Sequence, residues 1–162
     1  MAYAAQSPDQ LLPRETILSM SGLEFMQRLH KGEFAGAPIA GTLNMQLAEV
    51  QDGCVVFSGT PEFGALNPSG AVHGGWYGTL LDSALGCAVM TKVPQGSVYT
   101  TLEYKINITR AIPVGMPVTC KSVIDHAGRS TAVAHGDIRG LEDGKLYATG
   151  STTCIIMNLA DT

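Results

Sequence analysis

The chain has no basic excess. Ten Lys and Arg stand against 14 Asp and Glu, a formal net charge of -4 over 162 residues. General nucleic-acid binding needs a surplus of cations and is disfavoured, and an anionic small ligand would need its cation supplied locally. Charge of either sign is sparse, at 15% against 45% hydrophobic residues, and mean hydropathy is positive at +0.15. So greasy a balance in a small protein implies that some apolar surface meets another subunit. The four cysteines, Cys54, Cys87, Cys120 and Cys154, form no C-x-x-C pair and no cluster of zinc-ligand spacing. They are expected to be reduced core thiols, with no metal. Met1 to Arg14 lacks a basic start followed by an apolar run, so no secretory signal is visible and a cytoplasmic location is expected. There is no glycine-rich phosphate loop, and ATP use is not expected.

The length suits one domain with a core large enough to need neither disulfide nor metal. No internal repeat or linker is visible, so residues 1–162 are expected to form a single domain with an N-terminal helical lead-in over about 1–35. Within it, Ser21-Gly-Leu-Glu24 has capping-box spacing, Phe25, Met26 and Leu29 follow, and Gly32 is placed as a stop. Gly41 to Val50 and Cys54 to Thr60 read as strands around an Asp52-Gly53 turn. Pro61 to Gly70 reads as a loop. His73 to Val93 is the one long helical pattern. Strands follow at Tyr99 to Ile108, Val118 to Asp125, Ser130 to Ile138 and Leu146 to Met157, with turns at Gly128 and Asp143-Gly144. In the first of these, Leu102, Tyr104, Ile106 and Ile108 alternate with Thr101, Glu103, Lys105 and Asn107. The class is α+β, one helix wrapped by an antiparallel sheet.

The long helix is apolar almost all round, so it is expected to be buried. A membrane span is disfavoured, because Asp82 sits mid-span and glycines interrupt the stretch. Asp82 is the only charged residue between His73 and Lys92. At about 100° per residue it shares its face with Gly75, Gly78, Thr79 and Gly86, a strip of small residues with room for a ligand or another backbone. Such a carboxylate is either half of a structural ion pair or a functional group. His73-Gly74-Gly75 falls at the helix start, where unpaired N–H groups could hold a thioester carbonyl oxygen. His73 and Asp82 are about 13.5 Å apart along the axis and about 180° around it. They cannot meet on one substrate within one helix. Either only one is functional, or they act from different chains across a two-fold interface.

The ordered set Asn67-x2-Gly70-x2-His73-Gly74-Gly75, then Asp82, then Thr100-Thr-Leu-Glu-Tyr-Lys-Ile-Asn107 and Arg110, resembles the PaaI-type branch of the hot-dog-fold thioesterases over roughly residues 40–157. The resemblance implies an antiparallel sheet around a long helix, homodimers and often homotetramers. It implies hydrolysis of an acyl-coenzyme A thioester, with Asp82 as nucleophile or general base and no cofactor beyond the substrate's own coenzyme A. Gly74 N–H would polarise the carbonyl with His73 and Gly75 beside it, Asn67 would position water or thioester from the opposite chain, and Thr101 would orient the water. Arg129 and Ser130 match a turn that faces the coenzyme phosphates, with Arg110 and Lys121 as further cations. The family usually has proline after the strand arginine; here Ala111 stands there and Pro113 follows two residues later. Phe63, Leu66, Trp76 and Tyr77 are candidate acyl-pocket residues. The competing readings are a non-catalytic acyl-CoA-binding module, which needs no carboxylate, and a hot-dog hydratase or dehydratase.

Overall fold

A computed structural model describes residues 2–159. The long helical pattern folds as α4, Gly74–Met90, and it is the axis of the molecule. Six strands form one antiparallel sheet around it: β1 (Met45–Gln51), β2 (Cys54–Gly59), β3 (Ser97–Ile108), β4 (Val118–Ala127), β5 (Thr131–Gly140) and β6 (Leu146–Asn158). Their spatial order is β1-β2-β4-β5-β6-β3, so β1 and β3 are the two edges. This is the hot-dog arrangement, α+β. Among the described residues no helix is long and apolar enough to cross a membrane.

Alternation drives the wrapping. Along β5, Ala132, Ala134, Gly136 and Ile138 are buried while the residues between them are not; along β6, Ala148, Gly150, Thr152, Cys154 and Ile156 are buried. The inward residues beneath the middle of α4 are small: Ser122 pairs with Gly136 and Gly136 with Gly150. A Cβ on Gly150 would stand 3.1 Å from Leu81 Cδ2, so this row sets how closely helix and sheet approach. Leu80, Leu81, Ala84, Leu85 and Ala88 of α4 are fully buried against it. Asp52-Gly53 makes the expected β1–β2 turn, with Gly53 at φ 74°.

The first forty residues are more structured than their sequence suggests. A 3-10 turn (Pro8–Gln10) and two short helices, α1 (Arg14–Leu18) and α3 (Pro38–Thr42), flank α2 (Gly22–Lys31). Ser21 caps α2 by accepting from Glu24 N at 3.2 Å, and Gly32 ends it at φ 79°, both as the capping pattern predicts. The expected strand from Gly41 is corrected: Gly41 and Thr42 close α3, which Pro38 can start because its missing N–H is not needed there. Of the cysteines, Cys120 and Cys154 are core residues, whereas Cys54 and Cys87 are only half-buried.

Candidate active site

Asp82 lies midway along α4, half-buried, and is met by β3. Thr101 Oγ1 donates to Asp82 Oδ1 at 3.3 Å. Strict alternation would have sent Thr101 away from the apolar face, and this is corrected by an irregularity. Thr101 pairs with Cys154 and Glu103 with Thr153, which leaves Leu102 as the extra residue of a β-bulge, 59% exposed. The inserted residue shifts the phase. Tyr99 and Thr101 before it, and Tyr104 and Ile106 after it, all reach α4.

Those side chains occupy the glycine strip. A Cβ on Gly86 would stand 2.6 Å from Tyr99 Oη, one on Gly78 3.3 Å from Tyr104 Oη, and one on Gly74 3.6 Å from Ile108 Cδ1. Gly74, Gly78 and Gly86 therefore serve packing of the chain's own β3, where a helix glycine's cost of about 1 kcal/mol is offset, while Gly75 lies against the His73 ring. Asp82 faces Thr101 between these contacts.

At the start of α4, His73 is the N-cap. Its Nδ1 accepts from Gly75 N at 2.8 Å, and its carbonyl accepts from Trp76 N at 2.9 Å. Gly74 N–H is the remaining outward donor of the first turn. Asn67 sits in the loop ahead of the helix. Its Oδ1 accepts from Ser69 N (2.9 Å), Ser69 Oγ (2.6 Å) and Ala71 N (3.2 Å), so its Nδ2 donor is the part left for other partners. Gly74 and Asp82 are about 12 Å apart along the helix. Within one chain Asn67, His73 and Gly74 form one group, and Asp82 with Thr101 another.

Arg129 and Ser130 are exposed in the β4–β5 turn. Ala132, just beyond it, pairs with Cys154, the residue that pairs with Thr101, so the turn lies at the Asp82 end of the sheet. Arg110 lies over the Tyr147 ring at 6.0 Å, and Lys121 is exposed on β4.

Beside Asp82 opens a cavity of about 650 Å³. Asp82, Ser83, Cys87, Tyr99 and Thr101 line one end, and among the described residues Asp82 is the only charged side chain in its wall. Burial pushes the Cys87 thiol up to about 12, with the Asp82 charge adding to it, and burial holds the Tyr99 phenol well above its ordinary value. Cys87 is thus a neutral thiol rather than a nucleophilic thiolate near neutral pH. The expected acyl-pocket residues do not line this cavity. Phe63 is 86% exposed, Trp76 donates to Leu43 O at 3.0 Å inside the core, Tyr77 Oη accepts from Ile112 N at 2.7 Å, and Leu66 bridges to Val72. Much of the wall comes instead from residues 2–40, where the sequence signals were the caps and the apolar face of α2.

Residues 69–147 match the thioesterase superfamily. The chain matches it over just under half of its length. As a hot-dog thioesterase it is similar to a phenylacetic acid degradation-related protein of Ralstonia eutropha, at 27% identity over 81% of this chain and 98% of the other, TM-score 0.73. It is similar to the phenylacetic acid degradation protein PaaI of Thermus thermophilus, at 25% identity over 73% and 97%, TM-score 0.67. A thioesterase of Streptococcus pneumoniae solved with coenzyme A is 29% identical over 71% and 87%, TM-score 0.65. The thioesterase is thus PaaI-like, a thioester hydrolase.

Proposed function

We propose that the protein hydrolyses acyl-coenzyme A to the free acid and coenzyme A, with Asp82 of one chain and Asn67, His73 and Gly74 of a second chain around one thioester. The observation that carries this is the Asp82–Thr101 contact in the wall of a cavity whose described lining is otherwise uncharged. Asp82 takes a proton from water as the water oxygen adds to the thioester carbonyl, or adds to that carbon itself and is released by water. Either route builds charge on the carbonyl oxygen, where the Gly74 N–H at the positive end of α4 stabilises it. The C–S bond then breaks and the departing thiolate takes a proton. Thr101 holds Oδ1 and leaves Oδ2 for the reaction. Asn67 donates through Nδ2 to the water or thioester, and His73 fixes the turn through its cap.

The coenzyme is suggested by the Streptococcus pneumoniae relative solved with it. Arg129 and Ser130, at the Asp82 end of the sheet, are the proposed phosphate contacts, and Gly75 gives the pantetheine a close approach by lacking a side chain. Two chains are needed because the two groups of residues lie about 12 Å apart on one helix. β3 offers the surface: it is an edge of 12 residues, with Tyr104 and Ile108 each 46% exposed. An unpaired edge of that length offers its backbone to a partner strand.

The test is release of free thiol from acyl-CoA by wild type and by Asp82→Asn, which is isosteric and opens no cavity. Turnover of the variant is expected below about a tenth of wild type, a loss above roughly 1.4 kcal/mol. Retention above that level removes Asp82 from the mechanism, and binding without turnover by wild type would favour the non-catalytic module.

A further inference from the structure

Residues 2–40 lie ahead of the family match and do more than decorate the sheet. Gly22 N donates to Val93 O at 2.9 Å, Gly96 N to Leu18 O at 3.0 Å and Gln95 Nε2 to Ser19 O at 3.0 Å, which ties α1 and α2 to the α4–β3 connection. His30 Nε2 bonds Ala48 O at 2.8 Å, tying the far end of α2 to β1. The chain before α1 closes on the segment before α3 through Ala5 N to Gly36 O (2.9 Å) and Gly36 N to Tyr3 O (2.7 Å). The roof is therefore anchored to the body on two sides, closed on itself by the third set of bonds, and stands over the cavity.

The inner surface of this roof is apolar. Ile17 of α1, Phe25, Met26 and Leu29 of α2, and Ile39 and Ala40 of α3 all line the cavity, whereas Glu24 and Arg28 of α2 pair with each other outside it. A cavity of about 650 Å³ has room for on the order of twenty water-sized groups at roughly 30 Å³ each. A methylene takes a similar volume. A two-carbon acyl group would fill about a tenth of this space and a phenylacetyl group under half. Beyond the residues beside Asp82 the described lining presents no cation; its polar side chains there are Tyr3 and Gln46, and Gln46 Nε2 already donates to Ala2 O at 3.4 Å, so no charge awaits an anionic acyl terminus.

The geometry points to a long straight aliphatic acyl chain, of more than about ten carbons, as the group this enzyme accepts, with residues 2–40 as the wall that measures it. This rests on the thioesterase reading of Asp82 and adds the substrate class. Burial of each methylene in such a wall favours the substrate by up to about fourfold, so selectivity for length accumulates along the chain.

The experiment measures kcat/KM for butanoyl-, octanoyl-, dodecanoyl- and phenylacetyl-CoA on the full chain, with Asp82→Asn as control. Dodecanoyl-CoA is expected to exceed butanoyl-CoA by at least about a hundredfold, and to exceed phenylacetyl-CoA. Two filling variants on separate elements, Ala40→Phe and Leu29→Trp, are each expected to lower the dodecanoyl-to-butanoyl ratio at least about tenfold, with thermal unfolding identifying a variant that does not fold. An optimum at phenylacetyl- or butanoyl-CoA overturns the length inference, as does an unchanged ratio in a folded filling variant. In those cases loss of activity in Asp82→Asn would still uphold the hydrolase reading. Turnover that survives Asp82→Asn would instead sink that reading, whatever the length profile.

Discussion

Thr101 supplies the only side-chain hydrogen bond that Asp82 receives among the described residues. A hydroxyl donating to a carboxylate contributes about 1.5–3 kcal/mol in good geometry, and at 3.3 Å this bond is longer than the usual O–H···O distance of about 2.5–3.0 Å. Thr101→Val keeps the shape and removes the donor. It is expected to lower kcat about tenfold with little change in KM, while Thr101→Ser restores most of the rate; steady-state kinetics of both variants decides it. Equal loss in Val and Ser variants would make the side chain a packing element rather than an orienting one. The carboxylate itself was legible in the sequence, because a lone charge in an apolar helix stands out. Its partner was not. Period-two counting put Thr101 on the other face, and an inserted residue such as Leu102 leaves no mark in an alternation count.

At the scale of elements, α2 and α4 meet through a glycine. A Cβ on Gly22 would fall 1.8 Å from Met90 O, a backbone atom that cannot turn aside. Gly22→Ala must therefore separate the start of α2 from the end of α4. Overpacking of this kind costs about 1–3 kcal/mol, which in a protein of this size lowers Tm by roughly 3–10 °C. Differential scanning calorimetry checks it, and an unchanged Tm would mean that the two helices are not held as closely as described. The same contact explains what the sequence hid in this region. The capping box and the Gly32 stop fixed the limits of α2, since they are local signals. Its destination depends on Val93 and Ala48, which lie far along the chain. Trp76 and Tyr77 lie away from this cavity for the converse reason: they carry polar atoms that found buried partners, and this drew them into the core.

For the whole molecule, the separation of Gly74 from Asp82 makes the shared site testable by complementation. Inactive Asn67→Ala and inactive Asp82→Asn are prepared separately, then mixed under conditions that exchange subunits. A hybrid dimer holds one site with both lesions and one with neither. Random exchange at equal mixing makes about half the dimers hybrids, so about a quarter of wild-type activity is expected to return. No recovery, with exchange established independently, would mean that each chain carries a complete site. The helical spacing that motivates this test was readable from sequence alone, because nine residues of helix have a fixed length and rotation. The edge position of β3 was not, since strand order follows from which strands pair, and the loops that decide it carry no periodic signal.

The anchoring of the roof has a consequence for how such a pair of chains would behave. Residues 2–40 cover the cavity beside the Asp82 of their own chain, so in a shared-site dimer the chamber for the hydrocarbon belongs to one subunit while the oxyanion donor belongs to the other. Recognition and chemistry would then be separable by inheritance. A hybrid in which only one subunit has a narrowed chamber would show two independent length preferences, one per site, and the mixture would read as a sum of two profiles rather than as an average.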